Sequence, residues 1–265
     1  MDINKAILKA ANTLINTVVI LALCLAGTYA GYALWDNNRV YAAAENVQAD
    51  MIKLKPTVQS AGEGAEEGEE AGADFAELLA VNPDVCAWVT LDNTGVDYPV
   101  LQGETNLTYI NTDVYGNFAL AGSIFLDSRN DKTFSEPYSL LYGHHMDNGR
   151  MFGDLDLYKE KKFFDENRTG TLILPDRVYE LEIFSCMLIS ASEDAIFNPM
   201  QYQDDIDKLL DFAEQNSLFL HEDVLERISQ SEEEVQILAL STCSSEFTDA
   251  RTILLTVMKT VAPAE

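Results

Sequence analysis

Positive charge is what this 265-residue chain has least of: 17 Lys and Arg stand against 44 Asp and Glu, for a formal net charge of −27. A surface that binds phosphate backbones needs clustered Lys and Arg, so nucleic acid is excluded as a partner. Cysteine is sparse too. The four, Cys24, Cys86, Cys186 and Cys243, are far apart and make no CxxC pair, which excludes a zinc ribbon or thioredoxin-type redox site and argues against a disulfide framework. Histidine occurs only three times, as His144, His145 and His221. No acidic loop has the spacing of a calcium site, and no internal repeat is present. No metal and no cofactor is implied. What the chain does have is 47% hydrophobic residues, enough for an ordinary core.

Charge is also missing locally. From Ala10 to Trp35 the sequence AANTLINTVVILALCLAGTYAGYALW holds no ionisable side chain except those of cysteine and tyrosine. As a helix it rises about 39 Å, enough to cross a hydrocarbon core of roughly 30 Å. It reads as a transmembrane anchor. Lys5 and Lys9 precede it and acidic sequence follows, so the positive-inside rule sets residues 1–9 in the cytoplasm and the remainder outside the cell. A cleaved signal peptide is the rival, since AGTYAGYA offers small residues at alternating positions, but the apolar run is longer than a usual signal core. Residues 36–73 read as a juxtamembrane segment, helical in its first part, followed by an acidic Gly/Glu linker, PTVQSAGEGAEEGEEAGA. A folded domain is expected over 74–265.

Within 74–265 the pattern is mainly strand. Short β-rich runs bounded by turn residues recur at 86–91, 97–101, 122–126, 139–143, 170–175, 178–189, 235–242 and 251–258, as in a closed barrel or a sandwich. Two helices interrupt them, one over 74–81 and one over 204–219. In the second, Ile206, Leu209, Leu210, Ala213 and Leu218 mark an apolar stripe, and acidic residues crowd the first turn.

Cys86 and Cys186 sit inside apolar runs and read as buried thiols. Cys243 stands at the border of one, in LALSTCSSEFTDAR. If 235–242 and 251–258 are antiparallel neighbours, Cys243 and Arg251 face each other at the rim. A guanidinium there favours the thiolate and can stabilise an oxyanion. On spacing alone, a surface arginine beside a small apolar cysteine remains open as well. His144 and His145 end a strand in LLYGHHMDNG, where catalytic groups are commonly mounted. Neighbours on an extended chain point to opposite sides, so one of the two at most faces a site, which favours a single imidazole over a metal pair. His221, in FLHEDVL, reads as an ordinary surface residue.

LSTC with Arg eight residues after its cysteine, LYGHHMDNGRMFGDL, NPDVCAWVTLDNTGVDYPVLQG, TNLTYINTDVYG and GSIFLDSRND together resemble the class B sortases, cysteine transpeptidases of Gram-positive cell surfaces, over about Asp74 to Thr260. The resemblance implies a closed eight-stranded β-barrel with an N-terminal helix and a long helix before the penultimate strand. It implies Cys243 as nucleophile, His144 as general acid/base and Arg251 as stabilising cation, with His145 a structural neighbour. Asn106, Ile110, Tyr142 and Ser241 match positions that line the peptide groove. The wall expected from about Ser190 to Asn198 fits poorly, with Ala195 where an aromatic often stands. The implied partners are secreted proteins with a C-terminal sorting signal, and an amine of peptidoglycan or its lipid-linked precursor. Other possibilities are a pilin-polymerising sortase, a cell-surface cysteine hydrolase and a tethered noncatalytic binding module.

Overall fold

The computed structural model of the protein describes residues 3–57, 73–203, 205–231, 234–243 and 249–261, with the backbone alone at residues 4, 6 and 243. The chain forms two compact units, Met1–Ala43 and Ala44–Glu265.

Helix α1 runs Ile3–Ile52, and its residues up to Ala43 make the first unit. Leu14, Ile15, Val18, Ile20, Leu21, Leu23 and Leu25 are all exposed on it, and the helix is long and apolar enough to cross a membrane. Three of its threonine hydroxyls are satisfied within the helix: Thr13, Thr17 and Thr28 donate to the carbonyls of Lys9, Thr13 and Cys24 at 2.8–2.9 Å. Trp35 packs against Tyr32 and under Arg39, an aromatic and basic grouping suited to a membrane–water boundary.

In the second unit, α2 (Ala76–Val81) precedes β1 (Val85–Leu91), β2 (Asp97–Leu101), β3 (Ile124–Leu126) and β4 (Tyr138–Tyr142). A 3-10 helix (Gly153–Lys159) and α3 (Lys161–Glu166) lead to β5 (Thr169–Ile173) and the long β6 (Val178–Ser190). Then come α4 (Asp194–Phe197), a second 3-10 turn (Pro199–Tyr202), α5 (Asp207–Asn216), β7 (Ser217–Leu220), α6 (Glu222–Ser229), β8 (Ile237–Cys243) and β9 (Ala250–Thr260). Eight strands close into a barrel in the order β5-β1-β2-β3-β4-β8-β9-β6, with β6 returning to β5, and β7 adds to the outside edge of β6. Closure removes the edges that would otherwise template aggregation.

Period-two alternation explains the core. Leu140 of β4, Ala239 of β8, and Ile253 and Leu255 of β9 pack with Leu209, Leu210 and Ala213 of α5 and Val224 and Ile228 of α6. Leu141, Leu238, Leu240 and Leu254, on the other face of the same strands, are also fully buried. A second cluster joins Phe75, Leu78, Trp88, Leu101 and Phe125.

The expected strands are present with ends moved by two residues at most. The expected helix over 204–219 is shorter. Ser217–Leu220 leave it to pair with Ser185–Met187 of β6, and Leu218, counted in the apolar stripe, is 48% exposed. The Ser217 hydroxyl explains the break, because it bonds the Ala213 carbonyl at 2.6 Å and the Ser185 hydroxyl at 2.7 Å.

The end of α1 already packs on the barrel. Met51 is buried in the cluster with Trp88, Gln48 donates to the Gly95 carbonyl at 3.0 Å, and Lys55 pairs with Asp97 at 2.8 Å. The packed unit thus includes residues 44–55, ahead of the expected start at Asp74; most of the expected linker, 58–72, lies outside the described residues. Met51→Ala should lower the stability of this unit by about 3 kcal/mol, a fall in melting temperature of roughly 6–12 °C in calorimetry. An unchanged melting temperature would show that Met51 is not part of the core.

Candidate active site

Two ladders meet at the end of β8. On one side β8 pairs in parallel with β4, Tyr142 opposite Ser241, and the ladder extends to a bond from the Gly143 amide to the Ser241 carbonyl at 3.1 Å. Carried two residues further, that register sets His144 level with Cys243. On the other side β8 pairs antiparallel with β9, and its last pair is Cys243 opposite Arg251. The cross-strand neighbours expected from spacing are therefore register partners. Gly143 is needed for the exit of β4: a Cβ there would lie 2.5 Å from Ile124 Cδ1 and 2.7 Å from the Phe152 ring, so any side chain would push the following histidine out of line.

The two histidines diverge. His144 Nε2 lies 2.7 Å from the Ile110 carbonyl; a carbonyl only accepts, so this nitrogen carries the proton. His145 turns to the opposite side, its Nε2 3.1 Å from Asp156 Oδ2. Asp156 also takes Lys159 at 3.1 Å and the Thr252 hydroxyl at 3.0 Å. His145 is thus held in a structural network, while His144 faces a pocket.

That pocket, of about 420 Å³, is lined by Asn106, Ile110, Tyr142, His144, Ser241 and Arg251, all anticipated from sequence, by Ala191 and Phe197 from the expected wall, and by Phe125 and Arg129, which were not anticipated. Ser241 is buried beneath it, and the Arg251 guanidinium bonds the Ala250 carbonyl at 2.9 Å. The wall over Ser190–Asn198 contributes Ala191 and Phe197 rather than Ala195. Phe197 supplies the missing aromatic two residues later: its ring stacks on Tyr142 at 6.3 Å, and Phe125 stacks on the same tyrosine at 5.3 Å. Two tyrosines hold this wall in place, Tyr138 bonding the Ile196 carbonyl at 3.0 Å and Tyr202 the Ala195 carbonyl at 2.5 Å.

Behind the pocket lies a residue that sequence reasoning passed over. Asp127 follows β3, and its side chain is fully buried. Its Oδ1 accepts from Arg129 Nε at 2.9 Å and the Arg129 amide at 3.0 Å. Its Oδ2 accepts from Arg129 Nη2 at 2.8 Å, Asn106 Nδ2 at 2.9 Å and the Tyr142 hydroxyl at 3.0 Å. Burial by itself would raise this carboxyl, but the hydrogen bonds from Arg129, Asn106 and Tyr142 outweigh it and hold the pKa below the ordinary value. The available signal was the D-x-R spacing in FLDSRND, which lets an arginine fork its own neighbour.

One expectation is overturned. His221 is not a surface residue: it is 7% exposed, its ring stacks on Phe164 at 4.0 Å, and Nδ1 lies 2.8 Å from the Ile183 carbonyl. Burial pushes its pKa down, so it sits as a neutral core histidine capping α6. Cys86 and Cys186 are buried as expected, and burial raises both thiols to about 12. Among the described residues, no group of three His, Cys, Asp or Glu could hold a metal.

No family model matches the chain. Curated proteins named Sortase B do: one from Staphylococcus aureus is 28% identical over 73% of this chain and 77% of its own length, and one from Listeria monocytogenes is 29% identical over 87% and 89%. Among solved structures, a Streptococcus pyogenes class B sortase involved in pilus biogenesis is 37% identical, with a TM-score of 0.63 over 70% of this chain and 98% of that one. Clostridium perfringens sortase B is 29% identical, with a TM-score of 0.64 over 70% and 100%. With this barrel, this end-of-strand cysteine and these relatives, the chain belongs to the class B sortases, a family of cysteine transpeptidases.

Proposed function

We propose that Cys243, His144 and Arg251 carry out an acyl transfer in two halves on the C-terminal sorting signal of secreted proteins. The observation that supports this most directly is the register pairing of Cys243 with Arg251 at the open ends of β8 and β9, beside a pocket that His144 and Arg251 both line. Cys243 as thiolate attacks a carbonyl of the signal, and the carbonyl π electrons become an oxyanion that Arg251 offsets. His144 as imidazolium gives its proton to the departing amine, the C–N bond breaks, and a thioacyl enzyme remains. An acceptor amine then attacks the thioester, neutral His144 takes its proton, and Cys243 leaves as thiolate. The His144 N–H is held by the Ile110 carbonyl, so an entering peptide competes with Ile110 for that donor.

The groove is the share of Asn106, Ile110, Tyr142 and Ser241, all of which line the pocket. Residues 10–35 serve as an uncleaved anchor, with 1–9 cytoplasmic and the catalytic unit, which takes in residues 44–55, outside the cell. Anchoring confines enzyme and secreted substrate to one surface and raises their effective concentration. The acceptor is an amine of peptidoglycan or its lipid-linked precursor. A second reading, polymerisation of pilins through a substrate lysine, draws support from the Streptococcus pyogenes relative involved in pilus biogenesis. Water in place of the amine would make the enzyme a hydrolase.

The test is mass spectrometry of the protein with a mixed set of NPxTN-like and xPxTG-like peptides and an amine acceptor. A thioacyl adduct on Cys243 and an amine-ligated product are expected; Cys243→Ala should give neither. Hydrolysed product alone, with amine present, would move the hydrolase ahead. In the same assay His144→Ala should slow turnover by about 10²–10⁴-fold and Arg251→Ala by about 10²–10³-fold, and full activity in either variant would remove that residue from the mechanism. Among the cysteines of the second unit, alkylation at neutral pH should map to Cys243 and spare Cys86 and Cys186, whose buried thiols lie near 12.

A further inference from the structure

We propose that Asp127 is the positioning residue of the peptide groove, a single buried carboxylate that sets Asn106, Arg129 and Tyr142 in the arrangement a sorting peptide meets. The proposal rests on the transpeptidase reading above and adds to it the group that shapes the binding surface.

Every side chain that donates to Asp127 lines the pocket. Asn106 comes from the β2–β3 connection, Arg129 from the turn after β3, and Tyr142 from the end of β4. Asn106 is turned by two bonds, its Nδ2 to Asp127 and its Oδ1 from the Ser128 amide at 2.7 Å, so the amide's orientation is fully determined. Arg129 spends Nε and one N–H of Nη2 on the carboxylate and the other on the Phe197 carbonyl at 2.7 Å. The same fork therefore draws in the wall that carries Phe197. Tyr142 would otherwise be free to rotate its hydroxyl between Phe125 and Phe197.

Packing alone does not account for this arrangement. A buried carboxylate is expensive to desolvate, and an apolar residue of similar size would serve a purely structural need as well or better. Asp127 instead takes all of its side-chain partners from residues that line the pocket. The Gln102 side chain, donating to the Asp127 and Asn130 carbonyls at 3.0 and 2.7 Å, fixes the turn so that the carboxylate itself cannot shift. Preorganisation of this kind removes the loss of freedom that free side chains would suffer on binding a peptide, so its loss weakens binding rather than the chemical step.

The experiment uses the full chain in detergent, with a quenched peptide set of NPxTN-like and xPxTG-like sequences as probe. Asp127→Asn keeps the shape and breaks the Arg129 fork. It should raise KM about tenfold or more while kcat stays within about threefold, and iodoacetamide should alkylate Cys243 at the wild-type rate, because the reacting groups are untouched. A merely structural role would lower the melting temperature and leave KM per folded molecule unchanged; that result overturns the proposal. Should Asp127→Asn fail to fold, Tyr142→Phe and Asn106→Ala decide. Each removes one donor to the shared Oδ2, so their effects on KM should be non-additive, and simple additivity overturns the proposal. Wild-type protein that forms no thioacyl adduct overturns it together with the reading it rests on, whereas active wild type beside an Asp127→Asn variant of equal KM overturns it alone.

Discussion

Because β8 is hydrogen-bonded along both edges, its last residue cannot move independently of its neighbours. A one-residue slip against β4 would turn Ser241 and Leu240 inside out, exchanging a pocket-lining position for a core one. A slip against β9 would separate Cys243 from Arg251. β9 is held in turn by β6, where Ile189 stands opposite Arg251 and Ser190 opposite Ala250, so the arginine is fixed from two sides. The rest of the fold serves this register. The helices α5 and α6 bury the outer faces of β4, β8 and β9, and closure through β5 leaves the ladder no free edge along which to slide.

Strand ends are fixed by the barrel, but groove walls are not, since they come from connections between strands. Here a buried charge takes the place of a ladder. Asp127 gathers Asn106 and Arg129 from two connections and Tyr142 from the end of β4, and Arg129 passes the constraint on to Phe197. On the far side of the site, Asp156 does something similar for His145, Lys159 and Thr252. Two carboxylates thus brace the segment that carries His144, which matters in a chain so acidic: each is matched locally by a basic partner rather than left to add to the net repulsion.

The eight barrel strands were legible because their side chains are largely buried, and burial writes itself into sequence as β-branched and aromatic runs. The pairing of Cys243 with Arg251 followed from two such runs and a short connection. What was missed depends on partners distant in sequence. Nothing in FLHEDVL says that Phe164 will stack on His221, although Val224, Leu225 and Ile228 do carry the spacing of α6. SLFL reads as a helix end because its strand character is realised only by pairing with β6. Asp127 sits in a stretch, DSRND, that looks like an ordinary polar turn; its burial comes from the groove closing over it. Residues 44–55 read as juxtamembrane helix, and their packing against Trp88 and Asp97 is likewise invisible locally.

The placement of the cysteines makes the same point chemically. Cys86 and Cys186 lie within β1 and β6, where desolvation lifts the thiols to about 12, leaving a thiolate fraction of roughly 10⁻⁵ at neutral pH. A nucleophile could not work from either place, however well its neighbours were arranged, because the interior that packs it also neutralises it. In the proposed mechanism the nucleophile needs a position rigid enough to be aimed and wet enough to ionise, and the end of a strand hydrogen-bonded along both edges supplies the rigidity. A cation across the ladder then favours the charged form without entering the core. The sequence signature of such a site is therefore a border: an apolar run that ends on cysteine, answered by an arginine at the start of the next.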